Sequence, residues 1–413
     1  MRDSNFPDNA ANERQSNDER KANERQLFMK TNANDNHFET TKASNSNHKK
    51  KVLIVFGTRP EAIKMCPLVL ELKKSEAFNT VVCVSGQHKE MLDQVLEIFG
   101  VVPDYDLDIM KKGQDLTDVT TAILIGMREI INKEQPDIVL VHGDTSTAFA
   151  TSLASFYQQI PVGHVEAGLR TYNMMSPYPE EFNREAIGLT AWLHFAPTKK
   201  AEDALLKEGK NQADIYVTGN TGIDALNYTV RSDFYHPEIE WAKDSRLIVL
   251  TAHRRENLGE HMHAMFRAIR RIVEEFEDVK VIYPVHLNPQ VRKIADDEFE
   301  GCDRIHLIEP LDVVDFHNLM KASCFIMTDS GGIQEEAPAL GKPVLVMRDT
   351  TERPEGVKAG TLKLVGTGEE NIYAECKKLL TDEDAYQAMS GAKNPYGDGT
   401  ASMQIREILE ERL

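Results

Sequence analysis

The sequence predicts an α/β protein with two doubly wound parallel sheets, one in each half of the chain. From Lys51 onward, short apolar runs rich in β-branched residues alternate with longer amphipathic stretches. Such runs are typical of parallel strands that helices cover on both faces. The alternation stops in a polar stretch around 230–246 and then starts again. This restart indicates two sheets rather than one.

Eleven segments have the composition of buried strands. In the first half they are 52–57, 80–85, 137–142, 161–165 and 215–218, and in the second half 247–251, 280–285, 304–308, 324–328, 343–347 and 361–365. In open sheets of this kind, ligands bind beyond the carboxyl ends of the strands. Two facing halves would therefore hold a ligand in the cleft between them.

The length of the chain also indicates more than one domain, because 413 residues exceed what a single hydrophobic core normally serves. Residues 1–50 contain ten asparagines and few large apolar side chains. Such a segment buries too little apolar surface to offset the entropy of ordering it. We expect it to be disordered. It is either an N-terminal extension of the protein or the result of a misplaced start site. The expected domains are 51–220 and 221–398, with 399–413 as a final helix.

The net charge, the apolar runs and the cysteine pattern indicate which partners the protein can bind and in which cell compartment it functions. The 66 acidic and 48 basic residues give a formal charge of -18, which disfavours nucleic acid and anionic membranes as partners. There is no apolar run of membrane-spanning length and no signal-peptide pattern in the sequence. The cysteines form no C-x-x-C pair and fit free thiols in a reducing cytoplasm. They are Cys66, Cys83, Cys302, Cys324 and Cys376.

The turn after the first strand carries basic residues. Gly57-Thr58-Arg59-Pro60-Glu61 opens a helix, and Lys64 follows one turn later. Free amides at this turn, with Arg59 and Lys64, would suit an anion. A plain βα turn with a solvated arginine fits these residues equally well. Since G-x-G-x-x-G follows none of the strands, the sequence argues against a dinucleotide cofactor.

Three carboxylates follow strands or begin helices in the first half. Asp144 follows a strand and fits a helix N-cap as well as a catalytic role. Glu166 follows the next strand with no capping position to explain it, and Glu180 begins a predicted helix beside Glu181. One of that pair could serve only the helix dipole. Three carboxylates in one cleft would be suited to acid and base chemistry.

The second half presents groups suited to phosphate. His253 stands beside two arginines at a strand end, although a lone histidine is more often structural. Ser330-Gly331-Gly332 leads from a strand into a helix and could offer bare amides to a phosphate. Glu336 could reach a ribose or could be an exposed helix residue. The segment Arg348–Glu355 adds another arginine directly after a strand, which could equally be surface charge. The histidines and cysteines lack zinc-ligand spacing, so no metal is expected.

Eight motifs occur together and in order: GTRPEAIKM, VHGDT, HVEAGLRT, PEEFNR, TAHRREN, YPVHLNP, DSGGIQEEAPALGKPVLVMRDTTERPE and NPYGDG. From Lys51 to the C-terminus the sequence resembles the non-hydrolysing UDP-N-acetylglucosamine 2-epimerases. The resemblance implies two Rossmann-like domains facing a central cleft in a GT-B-like fold, with the last helix returning to the first domain. It also implies a homodimer that interconverts UDP-N-acetylglucosamine and UDP-N-acetylmannosamine for surface polysaccharide synthesis.

The resemblance further implies roles for individual residues. Asp144, Glu166, Glu180 and His253 match catalytic positions. The matching substrate contacts are Arg59, Lys64, Phe316, Ser330, Gly331, Gly332, Glu336 and Arg353. A second molecule of UDP-N-acetylglucosamine, bound beside the first, would be contacted by Gln87, His88 and His286.

The chemistry of the implied reaction favours elimination. The C2 proton of the sugar has no adjacent carbonyl in the ring, so its direct removal would leave an unstabilised carbanion. If UDP leaves C1 while a carboxylate takes that proton, 2-acetamidoglucal forms, and re-addition from the other face gives the epimer. This route needs a base, an acid and cations for the leaving diphosphate, but no cofactor. A GT-B glycosyltransferase, a hydrolysing epimerase and a non-catalytic nucleotide-sugar sensor are the alternatives.

Overall fold

The computed structural model describes residues 49–86 and 89–413, without the side chains of Lys89 and Glu90. The segment expected to be disordered, 1–50, lies outside the described residues except for Lys49 and Lys50. Lys50 already belongs to the first strand.

Within the described residues, thirteen strands form two wholly parallel sheets. The first sheet has the order β3-β2-β1-β4-β5-β6-β7 and the second has the order β10-β9-β8-β11-β12-β13. Their bounds are β1 Lys50–Phe56, β2 Phe78–Val84, β3 Tyr105–Asp106, β4 Ile138–His142, β5 Val162–Val165, β6 Leu193–Ala196, β7 Ile215–Val217, β8 Arg246–Thr251, β9 Val279–Pro284, β10 Ile305–Ile308, β11 Phe325–Thr328, β12 Val344–Val346 and β13 Leu362–Leu364.

Helices connect the strands and cover both faces of each sheet. The α-helices are α1 Arg59–Lys74, α2 Lys89–Phe99, α3 Leu116–Glu134, α4 Ser146–Tyr157, α5 Glu180–Thr190, α6 Lys199–Lys207, α7 Thr221–Thr229, α8 Pro237–Trp241, α9 Glu260–Glu275, α10 Pro289–Phe299, α11 Val313–Ala322, α12 Ile333–Ala339, α13 Pro354–Ala359, α14 Glu369–Thr381, α15 Glu383–Ser390 and α16 Ala401–Arg412. In the described part of the chain, two short 3₁₀ helices span Gln212–Asp214 and Arg255–Asn257.

The predicted α/β class with two doubly wound sheets is confirmed. Each of the eleven predicted segments coincides with a strand to within a few residues. The prediction missed β3, which has two residues, and β6, whose four residues Leu-His-Phe-Ala include a histidine. Both are too short, or too interrupted by polar side chains, to resemble a buried strand in the sequence.

Each sheet separates two hydrophobic cores, because successive strand residues point to opposite faces. On β1, Val52 and Ile54 pack into the core on one side and Leu53 and Val55 into the core on the other. The second sheet repeats this pattern along its first strand, β8. Burying each such side chain contributes about 1.5–3 kcal/mol. The two sheets are thereby fixed as platforms whose strand ends carry the site.

The last helix, α16, packs against the first sheet. Its Ile405 and Leu409 are fully buried in the core beside β1. Ser75 donates a hydrogen bond of 2.6 Å to Glu410, and the Asp224 carboxylate accepts the amides of Ala401 and Ser402 at the start of the helix.

The chain crosses between the two sheets at two places that touch each other. The amide of Asn220 donates to the carbonyl of Tyr396 over 2.7 Å. Gly219 and Gly397 both have positive φ values, +90° and +126°. A Cβ on Gly219 would lie only 3.0 Å from the Tyr396 carbonyl oxygen, so glycine permits this close approach.

No helix among the described residues is long and apolar enough to cross a membrane.

Candidate active site

The carboxyl ends of the strands from both sheets border one cavity of about 750 Å³. From the first half it is lined by Asp144, Glu166 and Arg184, among others, and from the second half by Arg254, Gly331, Arg348 and Arg353. A recess of about 560 Å³ adjoins it at Arg254 and Gly331 and includes His253, His286 and Ser330. Acids of one half thus share a cavity with arginines of the other.

Glu166 lies directly after β5 in a left-handed conformation with φ +62°. Its Oε2 accepts hydrogen bonds from Nζ of Lys64 and, at 2.9 Å, from Nδ2 of Asn220. His142 Nε2 lies 3.7 Å from the same oxygen. Burial by itself would raise the pKa of Glu166, but Lys64 and His142 together hold that pKa well below its usual range. Glu166 is therefore an ionised carboxylate beside the cavity.

Asp144 follows β4 and pairs with Arg184, whose Nη2 donates to Oδ2 over 2.5 Å. The N-cap of α4 is Thr145, whose side chain accepts the amide of Ala148. The capping role considered for Asp144 is therefore wrong, and its side chain is available to the cavity. Burial raises the pKa of Asp144, and the neighbouring charge of Glu166 adds to that rise while Arg184 opposes it.

Glu180 and Glu181 have different surroundings at the start of α5. Glu181 is fully buried, and its Oε1 accepts the backbone amides of Thr171 and Tyr172 at 2.9 and 2.6 Å. Arg184 lies 3.2 Å from its other oxygen. Glu180 has a buried Oε2 that makes no hydrogen bond within the described part of the chain. Glu181 supports the preceding loop, and Glu180 is the free carboxylate.

The turn after β1 does not offer free amides, and that expectation is wrong. The Glu61 side chain folds back in a capping box, and its Oε2 accepts the amides of Gly57 and Thr58 at 3.1 and 2.9 Å. Thr145 donates to its other oxygen at 2.7 Å. An internal carboxylate therefore occupies the place proposed for an anion. Arg59 is exposed at this turn, whereas Lys64 reaches Glu166.

In the second half, buried Asp329 organises the segment after β8. Its Oδ2 accepts the amides of His253 and Arg254, each at 2.9 Å, and the side chain of Asn257 at 3.2 Å. Nδ1 of His253 lies 3.5 Å from the other carboxylate oxygen. The His253 ring stacks on that of His286, with ring centroids 5.2 Å apart. Asp329 therefore fixes the backbone of the segment that carries His253.

Two arginines at the cavity are matched by acids at its rim. Arg348 is buried, and its two terminal nitrogens donate to Glu352 at 2.8 and 3.1 Å. This pairing holds the pKa of Glu352 at about 2. Arg254 lies 3.6 Å from Glu256 and 3.8 Å from Glu352, and its Nε donates to the Asp329 carbonyl.

The Ser330-Gly331-Gly332 turn lies between β11 and α12. The amide of Ser330 donates to Oγ1 of Thr328 at 2.9 Å, so that amide is already used. Gly331 faces the guanidinium group of Arg353, because a Cβ built on Gly331 would lie 3.7 Å from its Cζ and Nη2 atoms. The cation of Arg353, rather than the Ser330 amide, is the group at this turn best placed for an anion.

Glu335 and Glu336, which are adjacent on α12, have different surroundings, and the sequence did not show this difference. Glu335 is buried, and its Oε1 accepts a hydrogen bond of 2.5 Å from Nε of Arg353. Glu336 lies on another side of the helix, where its Oε2 is 3.6 Å from Nε2 of His317. Phe316 packs against the core beneath β8 and β11. Among the described residues that line the two cavities, six of the predicted site residues do not occur: Arg59, Lys64, Glu180, Phe316, Gly332 and Glu336.

Sequence reasoning missed several residues that the fold brings to the site. Asn220 and Glu335 contact the predicted residues Glu166 and Arg353, Arg184 pairs with Asp144, and Asp329 positions His253. Their position was a usable signal, since Asn220 and Asp329 follow strands at the carboxyl edge of a sheet. Gln87 and His88, predicted to contact a second ligand, lie outside the described residues.

A family model described as UDP-N-acetylglucosamine 2-epimerase matches residues 70–410. The chain belongs to the UDP-N-acetylglucosamine 2-epimerase family. A relative of that name from Bacillus subtilis is 63% identical over 365 residues, which are 88% of this chain and 95% of the relative. The family resemblance found in the sequence is thereby confirmed.

Solved structures of the family share the fold. A putative UDP-N-acetylglucosamine 2-epimerase from Listeria monocytogenes aligns with a TM-score of 0.86 at 56% identity and covers 88% of this chain and 97% of its own. A UDP-GlcNAc 2-epimerase from Neisseria meningitidis, solved bound to UDP-GlcNAc, aligns with a TM-score of 0.79 at 48% identity. It covers 87% of this chain and 100% of its own.

Proposed function

We propose that the chain interconverts UDP-N-acetylglucosamine and UDP-N-acetylmannosamine without hydrolysing them. The observation that carries this proposal is the shared cavity in which Asp144 and Glu166 of the first half meet arginines of the second. The relative from Neisseria meningitidis, solved bound to UDP-GlcNAc, supports a nucleotide sugar as the ligand of this cavity.

The two carboxylates support an elimination and re-addition. Glu166 is ionised and can accept a proton, and it becomes a stronger base when its pairing with Lys64 is weakened. Burial raises the pKa of Asp144, which favours a group that carries a proton nearer neutral pH. Loss of UDP from C1 with the C2 proton gives 2-acetamidoglucal, and re-addition restores the bonds. Because the oxidation state of the sugar is unchanged overall, the reaction needs no redox cofactor.

The leaving diphosphate needs cations, and the second half supplies them. Arg254, Arg348 and Arg353 border the cavity, and His253 lies in the adjoining recess. A diphosphate would compete with Glu256 and Glu352 for Arg254 and Arg348. We place the phosphates at these arginines and at the turn Ser330-Gly331-Gly332, with Glu336 and Phe316 toward the nucleoside. Arg59 and Lys64 are proposed contacts from the first half, with Glu180 as a third carboxylate.

We also propose two domains, 51–220 and 221–398, that close on the ligand, with 399–413 packed back on the first. A second nucleotide sugar would contact Gln87, His88 and His286, next to the His253 ring on which His286 stacks.

The cysteines indicate the compartment. The free thiols of Cys66, Cys83 and Cys376, which are all buried, support a reducing compartment, and we propose the cytoplasm.

A homodimer is supported by an exposed apolar face on α4 and α5. Phe149 and Phe156 are seven residues apart on α4, and Phe182 and Leu189 are seven apart on α5, so each pair lies on one side of its helix. Phe149 and Phe182 touch edge to face at 5.5 Å, which joins the two pairs. Phe156 and Leu189 are 52% and 79% exposed. We propose that a second copy of the chain covers this face.

The dimer proposal predicts that Leu189→Glu yields monomers in light scattering while Val102→Glu does not. Val102 is 75% exposed and lies on neither α4 nor α5. Monomeric wild type at micromolar concentration would contradict the proposed dimer.

An NMR time course on UDP-N-acetylglucosamine tests the proposed reaction directly. The expected product is UDP-N-acetylmannosamine, approached to the same equilibrium from either epimer. Release of free N-acetylmannosamine would indicate a hydrolysing enzyme, and sugar transfer to an added acceptor would indicate a glycosyltransferase. An unchanged substrate that still binds would indicate a sensor.

A further inference from the structure

Asn220 stands where the chain passes from the first sheet to the second. It follows β7 and is the N-cap of α7, where its Oδ1 accepts the amide of Gly222 at 2.8 Å. The backbone N–H of Asn220 donates to the carbonyl of Tyr396, which lies where the chain returns from the second sheet to the first. Asn220 as a whole is only 4% exposed. Asn220 is therefore held by two parts of the backbone, at Gly222 and at Tyr396, where the two halves meet.

The cap fixes which end of the Asn220 amide faces the site. Because Oδ1 is turned to the Gly222 amide, Nδ2 points to the carboxylates and donates both to Oε2 of Glu166 at 2.9 Å and to Oε2 of Glu335. An amide nitrogen has two hydrogens, one for each acceptor. The flipped orientation would set an oxygen against two carboxylates and is excluded.

The two carboxylates belong to opposite sides of the site. Glu166 follows β5 of the first half and also accepts from Lys64. Glu335 lies on α12 of the second half and also accepts from Arg353, whose guanidinium group faces Gly331. Asn220 thus joins the proposed base to the proposed phosphate site through two hydrogen bonds.

We propose that Asn220 is a positioning residue of the epimerase, which holds Oε2 of Glu166 in place and couples it to the Glu335–Arg353 pair. This inference rests on the proposed function. The phosphate site and the carboxylate that accepts the proton then keep one geometry, since a single side chain is bonded to both. Misplacing a catalytic group by about 1 Å costs about 100-fold in rate.

Two substitutions preserve the cap and remove the bridge. Asn220→Ser keeps an oxygen that can accept the Gly222 amide, but it lacks the two N–H groups. Asn220→Asp keeps the cap oxygen and sets a third carboxylate against Glu166 and Glu335. The charged or titratable groups that interact with Glu166 are Lys64, His142, Asp144, His164, Glu335 and Arg353.

We expect Asn220→Ser to lower kcat by about 10-fold to 100-fold with a smaller change in KM. Asn220→Asp should lower kcat and also move the acidic limb of the kcat profile to higher pH, because an added negative charge raises the pKa of Glu166. Rates are expressed per UDP-binding site counted by calorimetry, so partial unfolding does not imitate a catalytic loss. Asn211→Ser, an exposed cap of the 3₁₀ helix at Gln212–Asp214, is the matched control and should leave kcat unchanged.

Glu335→Gln is a second test that leaves the Asn220 cap intact. It should lower kcat without moving the acidic limb upward, since it removes a negative charge. Normal kcat and an unchanged pH profile in the Asn220 variants would overturn the inference, as would normal kcat in Glu335→Gln if the Asn220 variants do not fold. An inactive wild type would instead overturn the proposed function, so the two failures are distinguishable.

Discussion

The Nζ atom of Lys64 donates a hydrogen bond to Oε2 of Glu166, joining α1 to the end of β5. Both side chains are largely buried, at 21% and 11% exposure. Glu166 also has a left-handed backbone, which is rare for a side chain that is not glycine, asparagine or aspartate. Such strain is retained where the surrounding structure over-determines a position.

Replacing Lys64 by methionine should raise the pKa of Glu166, because the cation that opposes its burial is lost. The acidic limb of the kcat profile should therefore move to higher pH. Breaking a buried ion pair from one side also costs about 3–5 kcal/mol of stability. Lys73→Met, an exposed change on the same helix, is the control. An unmoved acidic limb would show that Lys64 does not govern the ionisation of Glu166.

Glu180→Gln and Glu181→Gln should differ in which property they change, the kcat or the melting temperature. Glu181 accepts two loop amides, so its loss should lower the melting temperature by several degrees. Glu180 makes no hydrogen bond through its buried Oε2 within the described residues, so Glu180→Gln should change kcat and leave the melting temperature nearly unaltered. Melting curves and initial rates on both variants check this, and a reversed pattern would contradict it.

Gly331→Val should weaken UDP binding. A Cβ at this position points toward the Arg353 guanidinium group at 3.7 Å, so the added methyl groups would shield that cation from a phosphate. Gly368→Val is the control, because a Cβ on Gly368 meets nothing within 4 Å. Calorimetry should show at least a 10-fold higher Kd for UDP in the first variant alone. Equal affinities would show that the turn does not face the diphosphate.

Three buried histidines on adjacent strands should make stability fall in mild acid. Burial lowers the pKa of His142 to about 4 and the pKa values of His164 and His194 to about 3. The unfolded chain takes up these protons near pH 6.5, so each histidine should destabilise the fold by up to about 1.4 kcal/mol per pH unit below 6.5. This loss continues until the pH reaches the folded pKa.

Urea denaturation at pH 7 and pH 5 measures the effect of these histidines. His194→Leu should reduce the difference between the two unfolding free energies, whereas His261→Asn, an exposed change, should not. An unreduced difference in His194→Leu would argue that His194 is not the source.

Long buried strands were predictable because a continuous apolar run has few other interpretations. The two-residue strand Tyr105–Asp106 was not, since only its pairing with β2 makes it a strand. The same limit applied to the site, where local sequence pattern was informative and tertiary pairing was not. Residues at strand ends were found, but the sequence does not specify which neighbour turns inward. Glu335 and Glu336 differ by one helical step of about 100°, and tertiary packing alone decides that Glu335 meets Arg353.

At the Gly57–Glu61 turn, the sequence predicted a binding site that the structure does not form. Its sequence fits an anion site, yet the acceptor for its amides is supplied four residues later by Glu61. The bridge through Asn220 was invisible for another reason, because Glu166, Asn220 and Glu335 lie far apart in the chain.

Turnover in deuterated water shows whether side-chain carboxylates transfer the proton at C2. Wild type should place deuterium at C2 of the product, because the proton taken by the base exchanges before re-addition. Glu166→Gln and Asp144→Asn should lower the rate of epimerisation by about 100-fold or more. Full retention of the original C2 hydrogen in the product, or near-normal rates in both variants, would rule out elimination and re-addition by these carboxylates.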